Sequence, residues 1–502
     1  MRKLFSFWVI FLWTSPLVLS QTMFIHHPEL QFLFEDSLLH QPQYHSVFKP
    51  IAISGLNFNK FFTNNDSFSQ KPLQQSHVWV SPVIDASATF VKQDQRLIYQ
   101  LGQGLYIASE HQNFGFEASG EIYEQSFPAS SSFSTDSLKL VPRFNRLLSG
   151  DTGGALNLSL NGVAYWKPIP FVTLSVGNDK QFWGDGYRSL LLSENAASYP
   201  FIQAKINVWK IAYEHQVMFL RDLIAGKGSE RFNKYVSMHL LSCNVSNTLN
   251  FYIFEAVVWQ EQDSARHRGI DIQYLNPAIF FRSVEYNIGS PDNMLMGLGG
   301  KLKLSDHVHF YGQFMLDEFN LKAIVKNWSW WGNKHGLQAG LKIYGSSPKR
   351  PQLLQVEYNV VRPYTYSHYT SLVNYGYLRQ PLAHPDGANF EEFLALYRIA
   401  FNKLWMVHAK GTVTFYGTDP VGKNYGSDIY QYNSSYVSNY GNHLGQGIST
   451  YDFSQELIIS RMLKPSWRLR AGLIINNTLR RVEGKTILLP TVQLGINTLL
   501  YE

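Results

Sequence analysis

FVTLSVGND (residues 171–179) and FIQAKINVW (residues 201–209) carry the pattern that decides the fold. In the first stretch the apolar side chains of Val172, Leu174 and Val176 alternate with small or polar ones. The second stretch continues the same alternation. Because successive side chains of a β-strand point to opposite faces, a period of two predicts strands with one apolar and one polar face.

The links between such strands alternate between long and short. Residues 179–200 make a long loop between the first two strands, whereas a tight turn near Lys210 leads into the next one. Short and long links keep alternating from residue 77 onward, with brief exceptions at 92–96 and 479–485. Single-chain outer-membrane barrels have short periplasmic turns and long extracellular loops. The sequence therefore predicts an all-β fold, a transmembrane antiparallel up-and-down β-barrel of about 18 strands.

The predicted strands and loops have definite positions along the chain. Strands are predicted at residues 78–91, 97–110, 113–125, 154–166, 170–178, 201–209, 211–221, 233–243, 249–258, 293–304, 308–318, 335–345, 352–361, 392–403, 404–416, 453–463, 467–478 and 486–500. The longest loops are predicted at residues 126–153, 179–200, 259–292, 319–334, 362–391 and 417–452. FFRSVEYNI (residues 280–288) could also be a strand, which would reverse the orientation of everything after it. We place it inside the loop 259–292, as a folded-in segment.

The sequence divides into three parts. Residues 1–20 read as a signal peptide, because Arg2 and Lys3 precede a short apolar run that ends in small residues. Residues 21–76 form a small N-terminal periplasmic helical or plug segment, in which Pro28 and Glu29 mark the start of a helix. The alternative for this segment is an ordered leader that packs against the first strands. Residues 77–502 form the barrel.

Composition excludes several classes of protein. After the first 20 residues no segment has the roughly 18 consecutive apolar residues of a membrane helix, so a membrane location requires strands. Aromatic residues make up 15% of the chain and charged residues 16%, which suits a barrel with aromatic girdles and outer-membrane lipid around it. The formal net charge of +6 does not argue for nucleic acid as a partner. Cys243 is the only cysteine, so neither an intrachain disulfide nor a cysteine metal site can form, and no cofactor is predicted.

Catalytic motifs are missing from the sequence. It contains no GxSxG elbow, no HExxH motif and no glycine-rich phosphate loop with a following lysine. The adjacent carboxylates of Asp317 and Glu318 lie on a predicted strand, where neighbours point to opposite faces and do not form an acid–base couple. The chain is therefore predicted not to be an enzyme.

The loop 179–200 is the strongest candidate for a binding site. Its WGDGY motif places Trp183, Asp185, Tyr187 and Arg188 around two glycines. Tryptophan and tyrosine offer flat apolar faces, and aspartate and arginine offer strong hydrogen bonds, so these four residues are candidates for contact with a glycan. The alternative is a structural loop that folds into the barrel mouth and uses its aromatic residues for packing.

Two further segments have the chemistry of a binding surface. Arg266 and Arg268 are candidates for contact with an acidic sugar or a lipid phosphate. NYGSDIYQYNSSYVSNYGN (residues 424–442) alternates tyrosine with serine, asparagine and glycine in a predicted external loop. It would form a glycan surface or, alternatively, pack on its neighbours.

Several motifs resemble one family. QFWGDGYRSLLLSENAASYP (residues 181–200) resembles the signature of Wzi-like capsule-assembly outer-membrane proteins. YLNPAIFFRSVEYNIGSPDNMLMGL (274–298), FYGQFMLDEF (310–319), VRPYTYSH (361–368) and HPDGANFEE (384–392) resemble its Bacteroidetes branch, which includes the gliding-motility protein RemB. The resemblance implies an eighteen-stranded barrel with a helical periplasmic element and a non-enzymatic role at the cell surface. In Wzi-like proteins that role is lectin-like attachment of capsular polysaccharide, and in the Bacteroidetes branch gliding or surface-polysaccharide handling.

These observations leave several functions open. The leading hypothesis is assembly or attachment of surface polysaccharide, capsular or exopolysaccharide, by a non-enzymatic outer-membrane barrel. The first alternative is an outer-membrane protein that docks a protein partner of the motility or secretion machinery. The remaining alternatives are a diffusion channel, against which a plug-like N-terminus argues, and an outer-membrane hydrolase.

Overall fold

A computed structural model describes most of the chain. The described residues are 21–39, 41, 43–56, 62, 77–111, 113–127, 141, 144, 146–150, 153–223, 230–262, 267–276, 292–318, 327–347 and 350–500. The predicted signal peptide, Arg266 and the FFRSVEYNI stretch lie outside them. Among the described residues, no helix is long and apolar enough to cross a bilayer.

One α-helix, three short 3-10 helices and 25 strands are defined in these residues. The N-terminal elements are β1 Gln21–Ile25, α1 Pro28–Leu39, β2 Phe48–Lys49 and β3 Ile51–Leu56. The strands that follow are β4 His77–Val91, β5 Arg96–His111, β6 Phe114–Ser126, β7 Arg146–Gly150, β8 Gly154–Ile169, β9 Val172–Asp179, β10 Phe182–Trp183, β11 Tyr199–Val208, β12 Ile211–Leu223, β13 Arg231–Asn244, β14 Leu249–Gln260, β15 Asn293–Lys303, β16 Val308–Glu318, β17 Lys334–Tyr344, β18 Gln352–Val361, β19 Gly376–Tyr377, β20 Gln380–Pro381, β21 Phe390–Phe401, β22 Trp405–Thr418, β23 Ile448–Lys464, β24 Leu469–Val482 and β25 Lys485–Thr498.

Eighteen of these strands close into one antiparallel barrel. The order is β4, β5, β6, β8, β9, β11 to β18 and β21 to β25, and β25 pairs with β4 to complete the ring. The short strand β7 pairs with β8 beside the ring and was not predicted. Each predicted strand overlaps one barrel strand, so the predicted fold class and strand number are confirmed.

The two ends of the barrel differ as the alternating links predict. One end, which we call the short-turn end, carries the links from β5 to β6, β8 to β9, β11 to β12, β13 to β14, β15 to β16, β17 to β18, β21 to β22 and β23 to β24. The loops between β9 and β11, β14 and β15, β18 and β21, and β22 and β23 lie at the opposite, long-loop end. The chain parity therefore places the WGDGY loop at the long-loop end.

The outer wall is apolar over most of its circumference. On β25 the outward side chains of Val492, Leu494 and Ile496 are 42%, 62% and 41% exposed, respectively. Charged side chains such as those of Lys301 and Glu357 face inward instead and are buried in the lumen. A charge on the lipid side would cost about 2–4 kcal/mol at mid-depth for Lys or Arg. The alternation thus sorts side chains between lipid and lumen.

The wall formed by β12 to β14 departs from this rule. His215, His239 and Glu255 stand side by side in register on its outward face, and all three are buried. Part of the following loop lies against the same face, since Ser237 Oγ donates to the Tyr274 carbonyl (2.6 Å). The sequence predicted a long loop at residues 259–292. Its described part packs on the outside of the barrel, where Tyr274 joins a buried apolar cluster with Tyr235 and Trp259.

The short-turn end is filled by α1. Phe34 and Leu38 are 0% and 1% exposed and pack against wall residues that include Leu353, Met406 and Leu499. Buried charges fix the helix as well. Lys342 Nζ lies 2.6 Å from Glu35 Oε1, and Arg470 pairs with Glu29.

Candidate functional site

The loop after β9 turns into the lumen. Trp183, Leu190, Leu191 and Leu192 are all 0% exposed, and Trp183 Nε1 donates to Glu214 Oε1 (2.9 Å) on the inner wall. Gly186 is needed for this path, because a Cβ there would lie 2.5 Å from the Arg188 carbonyl oxygen and 2.6 Å from Glu357 Oε2. Hydrophobic burial and a close backbone approach therefore hold the loop inside the barrel.

The inserted loop joins the N-terminal segment. The short strands β10 and β2 pair inside the barrel, with Trp183 opposite Phe48 and Phe182 opposite Lys49. Ser46 Oγ donates to Asp185 Oδ1, and Lys301 Nζ lies 3.7 Å from the same oxygen. The carboxylate of Asp185 therefore connects the inserted loop with the N-terminal segment and with the wall.

Tyr187 and Arg188 are held by wall carboxylates. The backbone amides of both residues donate to Glu357, at 2.8 Å and 3.0 Å. The Arg188 guanidinium lies 3.3 Å from Glu392 Oε1, and His384 Nε2 lies 3.0 Å from Glu392 Oε2. Burial lowers the pKa of Arg188, but Glu392, Tyr187 and Asp386 together raise it above its usual range, so the arginine stays charged.

A second loop, between β18 and β21, closes over the first. Tyr366 Oη donates to the Leu190 carbonyl (2.8 Å), and Tyr375 Oη donates to the Leu191 carbonyl (2.7 Å). The Ser193 amide donates to the Leu382 carbonyl (2.8 Å). The two loops form one buried cluster with Phe48 and the inner wall, so the lumen near the long-loop end is packed with protein.

The structure places the predicted binding residues differently from the prediction. Trp183 and Asp185 are 0% and 2% exposed, so the prediction that they lie on an exposed binding surface is wrong. The alternative, a structural loop that folds into the barrel mouth, describes both residues. Arg268 is 4% exposed at its side chain and pairs with Asp292 (2.7 Å) and Asp271 (2.9 Å). Tyr187 and Arg188 are part-buried below the second loop. The structure brings Trp183, Asp185, Tyr187 and Arg188 together as supports of the packed lumen, whereas Arg268 lies apart from them in the loop between β14 and β15.

An open pocket lies in the tyrosine-rich loop after β22. It has a volume of about 300 Å³ and is lined by residues that include Tyr425, Ser438, Tyr440, Asn442 and His443. Tyr440 is 44% exposed. The pocket offers an aromatic face next to hydroxyl, amide and imidazole groups, at the long-loop end of the barrel.

A tryptophan-rich segment supports this pocket from the side. Ser329 Oγ accepts a hydrogen bond from the Gly441 amide (2.8 Å), and Trp331 stacks on Tyr436 at 4.6 Å between ring centroids. Trp328 remains 59% exposed. The composition of residues 424–442 pointed to this surface, whereas its contact with residues 327–333 is long-range and carried no sequence signal.

Comparison with known proteins shows one extensive structural likeness. No family model and no curated protein sequence matches the chain. The solved structure of Wzi, an outer-membrane protein involved in group 1 capsule assembly in Escherichia coli and described as a carbohydrate-binding β-barrel, matches with a TM-score of 0.59 at 12% identity, over 96% of this chain and 100% of that one. At this identity the likeness establishes a Wzi-like fold.

Outer-membrane barrels of another kind match less well. OprD of Pseudomonas aeruginosa matches at a TM-score of 0.43 and 10% identity, over 84% of this chain and 94% of that one. OccAB2 of Acinetobacter baumannii matches at 0.45 and 9% identity, over 85% and 98%.

Proposed function

We propose that this protein is a non-enzymatic barrel of the cell outer membrane that binds a surface polysaccharide during its assembly or attachment. The pocket of the tyrosine-rich loop carries this proposal, because aromatic faces next to hydroxyl and amide groups are the surfaces on which sugar rings stack and hydrogen-bond. Its size lies at the lower end of small-ligand pockets. The long-loop end would then face the cell exterior.

The packed lumen supports binding over transport. The two inserted loops and α1 occupy the barrel interior from opposite ends, and their charged groups are paired with the wall. A path for solute would have to break these contacts. The likeness to Wzi, which is described as carbohydrate-binding, agrees with the same proposal.

The same proposal assigns roles to the three parts of the chain. Residues 1–20 act as a cleaved signal peptide, and residues 21–76 act as a periplasmic plug at the short-turn end. Trp183, Asp185, Tyr187 and Arg188 act in glycan binding through the frame that supports the outer loops. Arg268 acts likewise by fixing its own loop to Asp292.

A binding assay with a matched control tests the proposed pocket. Detergent-solubilised protein is incubated with labelled surface polysaccharides, and the Kd is measured for wild type and for Tyr440→Ala. Loss of one central aromatic face is expected to weaken binding about five- to tenfold. Tyr432→Ala removes a ring of similar exposure, 39%, from the same loop outside the pocket and should bind as wild type. Equal Kd values for all three proteins would remove the pocket from the proposal.

Docking of a motility or secretion partner is the second proposal for this barrel. A deletion strain separates the two: loss of cell-bound polysaccharide with normal surface spreading supports the first, and loss of spreading with intact polysaccharide supports the second. A role in the gliding-related Bacteroidetes branch belongs to this second proposal, which rests on the motif resemblance alone.

A further inference from the structure

Three buried side chains from separate elements meet at the inner wall. His26 follows β1 in the N-terminal segment, Glu117 lies on β6, and Asp179 is the last residue of β9. His26 Nε2 lies 3.1 Å from Glu117 Oε1 and 3.5 Å from Asp179 Oδ2. Their side chains are 4%, 5% and 0% exposed, respectively.

Each of the two carboxylates has one oxygen held by a donor of its own. Tyr106 Oη donates to Glu117 Oε2 (2.8 Å), and the Lys180 amide donates to Asp179 Oδ1 (2.7 Å). The remaining oxygens, Glu117 Oε1 and Asp179 Oδ2, both point at His26. Carboxylates that bind a metal ion are usually held by outer hydrogen bonds of this kind.

The histidine is fixed as well. Gln31 Nε2 donates to the carbonyl of His26 (2.8 Å) and to that of Ile25 (3.0 Å), so the backbone that carries the imidazole is held in place. The ligand atoms of the three side chains lie within 4.8 Å of one another. A ligand arriving at this point would find the three groups already positioned.

The hydrogen bonds within the cluster do not satisfy both carboxylates. His26 Nε2 carries at most one hydrogen, and the shorter contact directs it to Glu117. Asp179 Oδ2 is fully buried and finds no hydrogen-bond partner among the residues that the structure describes. Two carboxylates buried at one point favour a cation between them, because buried charge is costly unless it is paired.

We propose that His26, Glu117 and Asp179 bind a divalent zinc ion. Zinc forms bonds of about 2.0–2.2 Å to imidazole nitrogen and carboxylate oxygen, which places neighbouring ligands of a tetrahedral ion about 3.3–3.6 Å apart. His26 Nε2 lies at similar distances from the two carboxylate oxygens, 3.1 Å and 3.5 Å. One imidazole with two carboxylates favours zinc over magnesium or calcium, which prefer oxygen ligands throughout. Water would complete the coordination.

The ion would fasten the N-terminal segment to the wall. Glu117 and Asp179 belong to the barrel, whereas His26 stands between β1 and α1. Metal binding across two parts of a structure stabilises the arrangement that brings the ligands together. The site is independent of the glycan proposal, because it lies inside the barrel and away from the tyrosine-rich loop.

Zinc titration of full-length, chelator-treated protein in detergent tests the proposal. We expect one zinc per wild-type chain by calorimetry and by elemental analysis after dialysis. Asp179→Asn and His26→Gln keep the side-chain size and are expected to lose at least about 100-fold in affinity, since each removes a ligand. Asp386→Asn alters a separate histidine–carboxylate cluster, with His384 and Glu392, and should bind zinc as wild type.

The outcomes decide the proposal in either direction. Heat-modifiable gel migration first confirms that each variant contains a folded barrel. Wild-type protein without stoichiometric zinc overturns the site, and so does equal zinc affinity in wild type and both ligand variants. X-ray absorption at the zinc edge gives a second readout: one imidazole with oxygen ligands is expected, and coordination by two or more imidazoles contradicts the assignment.

Discussion

Glu357 shows how a single lumen residue organises the candidate site. Its carboxylate accepts hydrogen bonds from the amides of Tyr187 (2.8 Å) and Arg188 (3.0 Å), from Tyr311 Oη (2.7 Å) and from Asn359 Nδ2 (2.9 Å). The first two bonds fix the inserted loop, and the other two fix the carboxylate to the wall. One acidic side chain thus sets the path of the WGDGY motif.

Glu357→Gln is expected to destabilise the inserted loop. Four hydrogen-bond donors surround the Glu357 carboxylate, and glutamine replaces one of its two acceptor oxygens with an NH2 group that cannot accept. At least one buried donor therefore loses its acceptor, at a cost of about 1–3 kcal/mol. The denaturation midpoint should fall, and trypsin should cleave at Arg188 sooner than in wild type. Glu391→Gln, on the outward face of the same wall, should change the free energy of unfolding by less than about 0.5 kcal/mol. Identical midpoints for Glu357→Gln and wild type would contradict the role of this carboxylate.

Glu35 gives the attachment of α1 a dependence on pH. Burial raises its pKa, but the ion pair with Lys342, together with the nearby Lys49 and Lys301, lowers the pKa from 4.5 to about 2. A lowered pKa contributes stability that is fully present above pH 4.5 and is lost as the pH falls toward 2. The stability difference between wild type and Glu35→Gln should therefore be largest above pH 4.5 and shrink below it. Thermal unfolding from pH 7 to pH 2 measures this difference, and a constant difference contradicts the ion pair.

At the scale of elements, α1 depends on apolar packing as well as on charge. Phe34 is fully buried at the short-turn end, and Phe→Ala in a packed core costs about 3–5 kcal/mol. Phe34→Ala should make the N-terminal segment sensitive to protease while the barrel stays intact. Phe34→Leu keeps most of the volume and should lose much less. Resistance of the alanine variant equal to that of wild type would show that the helix is held by its ion pairs alone.

The strands could be predicted from sequence because their signal is local. Apolar and polar side chains alternate within ten residues, as at Val172, Leu174 and Val176, because one face of each strand meets lipid and the other meets the lumen. The same requirement for apolar side chains on the lipid side applies to the whole wall. The outward row of His215, His239 and Glu255 breaks that rule where protein covers the wall. The strands still pair in regular register there, but their outward side chains are polar.

The course of the long loops could not be predicted in the same way. Their positions depend on contacts between distant residues, such as Tyr366 with Leu190 and Tyr375 with Leu191. Composition marks WGDGY as aromatic and charged, which fits an exposed binding loop and a buried one equally well. Burial of Trp183 is decided by Glu214 and Phe48, and neither lies near it in sequence.

At the scale of the whole molecule, the barrel has a lumen that is filled with protein from both ends. Its wall is closed, its short-turn end holds α1, and its long-loop end holds two inserted loops that bind each other. The tyrosine-rich pocket is open to solvent above this packed interior. Under the proposed function, the outer loops recognise the ligand and the packed lumen keeps the barrel rigid.

Ion conductance through single copies of the purified protein in planar lipid bilayers tests this arrangement most directly. The packed lumen predicts no stable conductance steps at moderate voltage, while insertion of the protein is verified independently by its resistance to protease. Stable, ohmic conductance steps from the intact wild-type chain would contradict a closed binding barrel and would favour a diffusion channel.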